Sequence, residues 1–145
     1  MSVRIRVAVP SDVNGLFTVR TSVQENMMTR EEMQALGITE ASVSAMIAAS
    51  DCAWVATQDE QIIGFSMIIP EEACLFAAFV LPGHQGKGIG KRLVSVAEDA
   101  LFSLHPSAWL ETGKRTRAAA FYRRAGWGNE SDIGNGDIRL EKSRS

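Results

Sequence analysis

The chain has 145 residues, 46% of them apolar and 22% charged, which suits one domain able to bury a core without disulfide or metal staples. A formal net charge of −2 speaks against a nucleic-acid partner, and no apolar run is long enough for a signal peptide or a membrane span. Cys52 and Cys74 have neither paired spacing nor a histidine cluster nearby, which predicts two reduced, apolar thiols in a cytoplasmic protein that needs no metal.

Val3, Ile5 and Val7 alternate with Arg4 and Arg6, a half-buried first strand stopped by Pro10. Ser11 or Asp12 can cap a helix that carries Val13, Leu16, Phe17 and Val19 and ends near Gln24. Thr29 and Glu32 are spaced as a capping box for a short helix closed by Gly37. A third helix opens at Thr39 and turns Val43, Met46 and Ile47 inward. Trp54 to Thr57 and Ile62 to Ile69 read as strands of an antiparallel hairpin, turned at Asp59 and Glu60 and ended by Pro70. A central strand follows over Ala73 to Leu81, and the unbroken apolar run from Phe76 predicts burial on both faces. After a glycine-rich turn, Ile89, Leu93, Val96, Ala97, Ala100, Leu101 and Leu104 recur at helical spacing. Ala108 to Thr112 is a short strand broken by Gly113, and Thr116 to Ala125 a helix closed by Gly126. Gly134-Asn135-Gly136 turns a terminal hairpin that includes Ile138 and Leu140, with Lys142 to Ser145 as a frayed tail. The order is strand, two or three helices, three strands, helix, strand, helix, two strands: an α/β arrangement around a mixed sheet.

The glycine-rich turn carries the chemistry. Gly86, Gly88 and Gly90 alternate at the start of a helix, where free N–H groups and the positive end of the helix dipole favour a phosphate. A Walker A loop would need glycine at position 85 and Ser or Thr at 92, where the chain has Gln85 and Arg92. A dinucleotide fingerprint would need a third glycine at Lys91 or at Leu93. Gln85-Gly86-Lys87-Gly88-Ile89-Gly90 instead resembles Q/R-x-x-G-x-G/A, the coenzyme A pyrophosphate loop of the GNAT-type N-acetyltransferases. Downstream, the segment from Ala118 through Phe121 and Tyr122 to Gly126 and Trp127 is similar to that family's A-x-x-F/L-Y-x-x-x-G-F/W run. An asparagine frequent seven residues before that tyrosine is replaced by Arg115.

The resemblance implies a single-domain GNAT-like fold over residues 1–145, with a mixed, mostly antiparallel sheet flanked by helices on both faces. It implies an N-acetyltransferase that uses acetyl-CoA as cosubstrate and a small-molecule or peptide amine as acceptor. Phe79 and Val80 would pair with the pantetheine arm, Gln85, Gly86, Lys87, Gly88, Ile89, Gly90 and Lys91 would hold the pyrophosphate, and Lys87, Lys91 and Arg92 could meet further phosphates. Tyr122, the only tyrosine, occupies the general-acid position. For the base, Glu111 and Glu25 rank equally, and ordered water is a third candidate. A non-catalytic CoA-binding or interaction module with the same fold is the alternative, and a homodimer stays open. Residues 1–72 carry ten acidic and four basic side chains, and residues 73–145 seven and eleven. That asymmetry could draw a cationic acceptor and an anionic cofactor to one cleft, or be scattered solvated charge.

Overall fold

Local signals set most of the elements. Thr29 and Thr39 accept from the backbone N–H groups of Glu32 and Ser42 at 3.1 Å each, opening helices α2 (Arg30–Ala35), at its predicted capping box, and α3 (Glu40–Ala49), at its predicted first residue. Helix α1 (Val13–Arg20) stops four residues before the expected Gln24. The ladder stops at Ser22: its hydroxyl donates to the Thr18 carbonyl at 2.5 Å, the acceptor the next turn would use, while its backbone N–H turns to Val19 at 3.1 Å. Helices α4 (Ile89–Leu104) and α5 (Arg117–Arg124) complete the set, α5 being capped by the Thr116 hydroxyl on the Ala119 N–H at 3.1 Å.

The computed structural model describes residues 2–145. Seven strands, β1 (Arg4–Val7), β2 (Ala53–Gln58), β3 (Gln61–Ile69), β4 (Cys74–Val80), β5 (Ser107–Gly113), β6 (Gly128–Gly134) and β7 (Asp137–Ser143), form one sheet in the order β1-β2-β3-β4-β5-β7-β6. Every pairing is antiparallel except β4 with β5. Neighbouring residues of β3 face opposite layers. Ser66, fully buried, donates to the Leu93 carbonyl of α4 at 2.9 Å, whereas Phe65 shares a cavity wall with Leu16 and Phe17 of α1. Helices thus cover both faces, as the resemblance implies. Among the described residues no helix is long and apolar enough to cross a membrane.

Two expectations need correction. The C-terminal residues are not frayed: β7 slots between β5 and β6, and it brings Lys142 Nζ to Glu98 Oε1 at 2.7 Å and to the Ala125 carbonyl at 2.8 Å. Arg144 adds a 2.8 Å backbone bond to Pro106 and a side-chain bond to Phe102 O at 2.7 Å. The central strand is also not buried on both faces. Phe76 is 40% exposed and Ala77, Ala78 and Phe79 are half-buried, because β5 diverges from β4 and uncovers them.

Asp12 anchors the first crossing from strand to helix. Its carboxylate takes both arms of Arg6 at 2.8 and 3.0 Å and the Val9 N–H at 2.8 Å. The Arg6 bonds, foremost, hold this carboxyl below its ordinary value. A depressed folded-state value adds stability above the unfolded carboxylate range, and that stability is lost as pH falls through the lower folded value. Asp12→Asn is therefore expected to cost about 1–2 kcal/mol at neutral pH and to flatten the acid limb of a melting-temperature profile. Parallel acid limbs in variant and wild type would remove Asp12 from that role.

Candidate active site

β4 and β5 run in the same direction, yet only Cys74 and Trp109 pair across them, with the Trp109 N–H on the Ala73 carbonyl at 3.0 Å. Beyond that point the strands separate. The Leu81 N–H donates to Ile63 of β3 at 2.8 Å, and backbone groups alternate sides along a strand. The N–H and C=O of Ala78 and Val80 therefore point away from β3, into the gap, whereas those of Phe79, expected to pair with the arm, face Phe65 of β3 and leave the cleft only its ring. Gln85 Nε2 reaches the Val80 carbonyl there at 3.1 Å.

Two cavities open from this gap. One, of about 900 Å³, runs over the glycine-rich turn, and the other, of about 620 Å³, lies beneath α1, α2 and α3. Asn26, Ala78, Phe79, Ala118 and Tyr122 line both, so the two meet at a window framed by those side chains.

The larger cavity gathers Phe79, Val80, Gln85, Gly86, Gly88, Gly90 and Lys91 of the expected set. Gly86 and Gly88 have φ of 79° and 81°, the left-handed region, and Gly88 directly precedes α4. A Cβ at either position would meet no heavy atom within 4 Å, so the turn faces open space with the helix N-terminus behind it. Ile89, also expected at this site, is 3% exposed with its side chain in the core, which leaves only its backbone for a ligand. Lys87 is exposed beside the cleft and does not line it. Arg92 is directed elsewhere, onto the Val3 carbonyl at 3.1 Å, and Arg115 lines neither cavity. The cations that do line it, besides Lys91, are Arg117 and Arg124, which sequence reasoning missed. Their signal was available: Arg117, Phe121 and Arg124 stand at i, i+4 and i+7, one face of α5. Arg117 also donates to Gln85 Oε1 and so fixes the amide against β4.

Tyr122 stands at the window, 7% exposed. Its ring is held edge-on by Phe121 at 5.4 Å and Trp127 at 6.1 Å between centroids. Trp127 is in turn locked by its Nε1–H on Glu98 Oε2 at 3.0 Å, and Glu98 by Lys142. Burial, with a smaller contribution from Glu98, pushes the phenol above its ordinary value, so it holds its proton at neutral pH. The hydroxyl bonds to none of the described residues and is free to meet a ligand.

The two carboxylates expected near the reaction separate. Glu25 lines the larger cavity, but its Oε1 accepts from the Arg117 N–H at 3.0 Å and sits 3.7 Å from the Arg117 Nε, which ties it to the start of α5. Glu111 lines the smaller cavity, across from Arg139 in the β5–β7 register. Asn26, with φ of 56°, joins the loop after α1 to β5: its Oδ1 accepts from the Gly113 N–H at 3.1 Å and its Nδ2 donates to Thr112 Oγ1 at 3.3 Å. A Cβ at Gly113 would lie 2.9 Å from that Oδ1, so a larger residue there would push the Asn26 side chain out of its place.

A family model described as an acetyltransferase (GNAT) domain matches residues 49–128, which include β2 to α5 and the glycine-rich turn. Among solved structures, the chain is similar to the PaiA N-acetyltransferase of Thermoplasma acidophilum in complex with coenzyme A. That match has 22% identity and a TM-score of 0.79 over 99% of this chain and 100% of that one. A GNAT-family acetyltransferase of Staphylococcus aureus Mu50 is 17% identical with a TM-score of 0.77, covering 98% of this chain and 99% of that one. One from Streptococcus pneumoniae is 16% identical with a TM-score of 0.76, covering 99% and 100%. No curated protein matches the chain.

Proposed function

The chain belongs to the GNAT acetyltransferase family, and from that premise we propose that it moves an acetyl group from acetyl-CoA directly to an amine acceptor. The observation that carries this reading is the window shared by the two cavities. One side offers a phosphate-type turn and an open strand edge, the other an acceptor-sized space, and Tyr122 stands between them.

Acetyl-CoA would supply the acyl group as a thioester at that window. Gly86, Gly88 and the first turn of α4 turn N–H groups toward the pyrophosphate, with Lys91, Arg117 and Arg124 as counter-charges. Ala78 and Val80 present backbone groups that suit an added strand, and the Val80 N–H is the candidate donor to the developing oxyanion. The acceptor nitrogen attacks the carbonyl carbon; the C–N bond forms, the C–S bond breaks, and the electron pair leaves on sulfur. Tyr122 delivers its proton to that sulfur, and the proton lost from nitrogen passes to Glu111 or to water. Glu111 is the better base of the two, since it lines the acceptor side and Glu25 is held by Arg117.

Cys74 supports direct transfer over a covalent relay. It lines the acceptor cavity, but burial first, then the charges of Glu72 and Glu111, push its thiol up to about 12. A thiol that stays protonated is a poor nucleophile. Cys74→Ser is expected to retain turnover, and loss of activity without loss of stability would favour an acetyl-cysteine route.

The test is a transfer screen with acetyl-CoA over chemically diverse amines, read as CoA release and confirmed by the mass of the product. Acetylated product supports the proposal. CoA binding with no product from any amine would leave the binding-module reading.

A further inference from the structure

Leu16, Phe17 and Arg20 share one face of α1, and that face looks into the smaller cavity. Its lining is otherwise mostly apolar, including Met27, Met28, Met33 and Phe65. The Arg20 guanidinium lies over the Phe79 ring, 4.2 Å from its centroid, and Phe79 frames the window to the cofactor side. Its Nη1 is buried with no hydrogen-bond partner among the described residues. Glu32 acts on it through charge alone, and of the cavity's carboxylates Glu72, Glu111 and Asp137 none is ion-paired to it. Arg30, which lies over the Phe17 ring, is by contrast ion-paired to Glu40. A guanidinium has five donors and cannot shed its charge, so leaving one unpaired in an apolar wall is costly unless a ligand completes it.

We propose that the acceptor is an amino acid with an apolar side chain, its carboxylate bound by Arg20 and its side chain held in the methionine-lined cavity. This rests on the transfer reading above. Arg20 sits over a window residue, so a carboxylate bound there lies close to the reacting nitrogen, as it does in an α-amino acid. Methionine walls adapt to different apolar shapes, and a cavity of about 620 Å³ admits side chains as large as that of phenylalanine. The acidic excess of the N-terminal half, taken alone, suggests a cationic acceptor; the cavity's carboxylates Glu72, Glu111 and Asp137 can meet an ammonium, while Arg20 is the cation of its lining and lies against the window residue Phe79.

The experiment compares leucine and phenylalanine with their amides and with 3-methylbutylamine and 2-phenylethylamine, in wild type, Arg20→Met and Arg20→Lys. Wild type is expected to favour the amino acids in kcat/KM by about 10- to 100-fold, the usual range for a charge-assisted bond. Arg20→Met should erase the preference, Arg20→Lys restore part of it, and neither should change CoA affinity. Because Arg20→Met removes a half-buried guanidinium whose Nη1 has no partner among the described residues, its melting temperature should equal or exceed that of wild type. Equal rates on acids and amides, a preference that survives Arg20→Met, or a weakened CoA complex would each overturn the proposal. A lower melting temperature in Arg20→Met would do the same, by making Arg20 structural. A second arm needs no turnover: 4-methylpentanoate, added to the CoA complex, should raise the melting temperature of wild type and not of Arg20→Met. If that shift occurs while no amine is acetylated, the carboxylate site stands and the transfer reading falls. If amines are acetylated without discrimination, the reverse holds.

Discussion

Tyr122→Phe is expected to lower kcat for acetyl transfer by about 10²- to 10⁴-fold while leaving the Kd for acetyl-CoA close to that of wild type. The substitution removes one oxygen from a ring whose packing comes from Phe121 and Trp127 on edge, so the side chain should keep its place. The hydroxyl bonds to none of the described residues, so its loss orphans no protein group. What it removes is a proton held ready at the window by burial and by Glu98. A phenol raised in this way yields its proton only when negative charge develops beside it, which is the condition at a departing thiolate. Stopped-flow CoA release, isothermal titration and a melting curve on the same preparation separate the possibilities. A loss smaller than tenfold would mean that water protonates the sulfur, and a matching loss of CoA affinity would make Tyr122 a binding residue. A lower melting temperature would point to packing.

The parts of this site that sequence reasoning finds are those written in consecutive residues. Gln85 to Lys91 is such a stretch: three alternate glycines and a following amphipathic run are enough to place a phosphate-type turn at a helix start. The Thr29 and Thr39 caps are local in the same way. The parts it loses depend on contacts between distant segments. An apolar run such as Phe76 to Val80 gives the same pattern whether a neighbouring strand covers it or diverges from it, and the divergence of β5 is what makes the cleft. The tail from Lys142 is polar and terminal, and only the insertion of β7 beside β5 gives its lysine Glu98 to meet. Arg20 falls between these cases. A charge on the apolar face of α1 is visible in the sequence, but whether a partner neutralises it is decided by the packing around it.

Gly88→Val should weaken CoA binding by about 100-fold or more while the protein stays folded. Two separable effects contribute. The first is backbone strain: Gly88 has φ of 81°, where a β-branched residue costs about 1–2 kcal/mol, a few degrees of melting temperature in a chain of this size. The second is occupation of the ligand's place: a Cβ at Gly88 meets no protein atom within 4 Å, so valine methyl groups would fill open cleft where a phosphate must approach the α4 N–H groups. Gly37 supplies the control. Its φ of 80° is nearly the same, a Cβ there also meets nothing within 4 Å, and it closes α2 outside the lining of the larger cavity. Gly37→Val should therefore show a similar loss of melting temperature and unchanged CoA affinity. In the same titrations NAD and ATP, which lack the pantetheine arm and cannot use the open edge at Ala78 and Val80, should bind wild type much more weakly than CoA. Wild-type CoA affinity in Gly88→Val would sink the assignment of this turn. Equal weakening in both valine variants would show that strain, transmitted through the fold, is the whole effect.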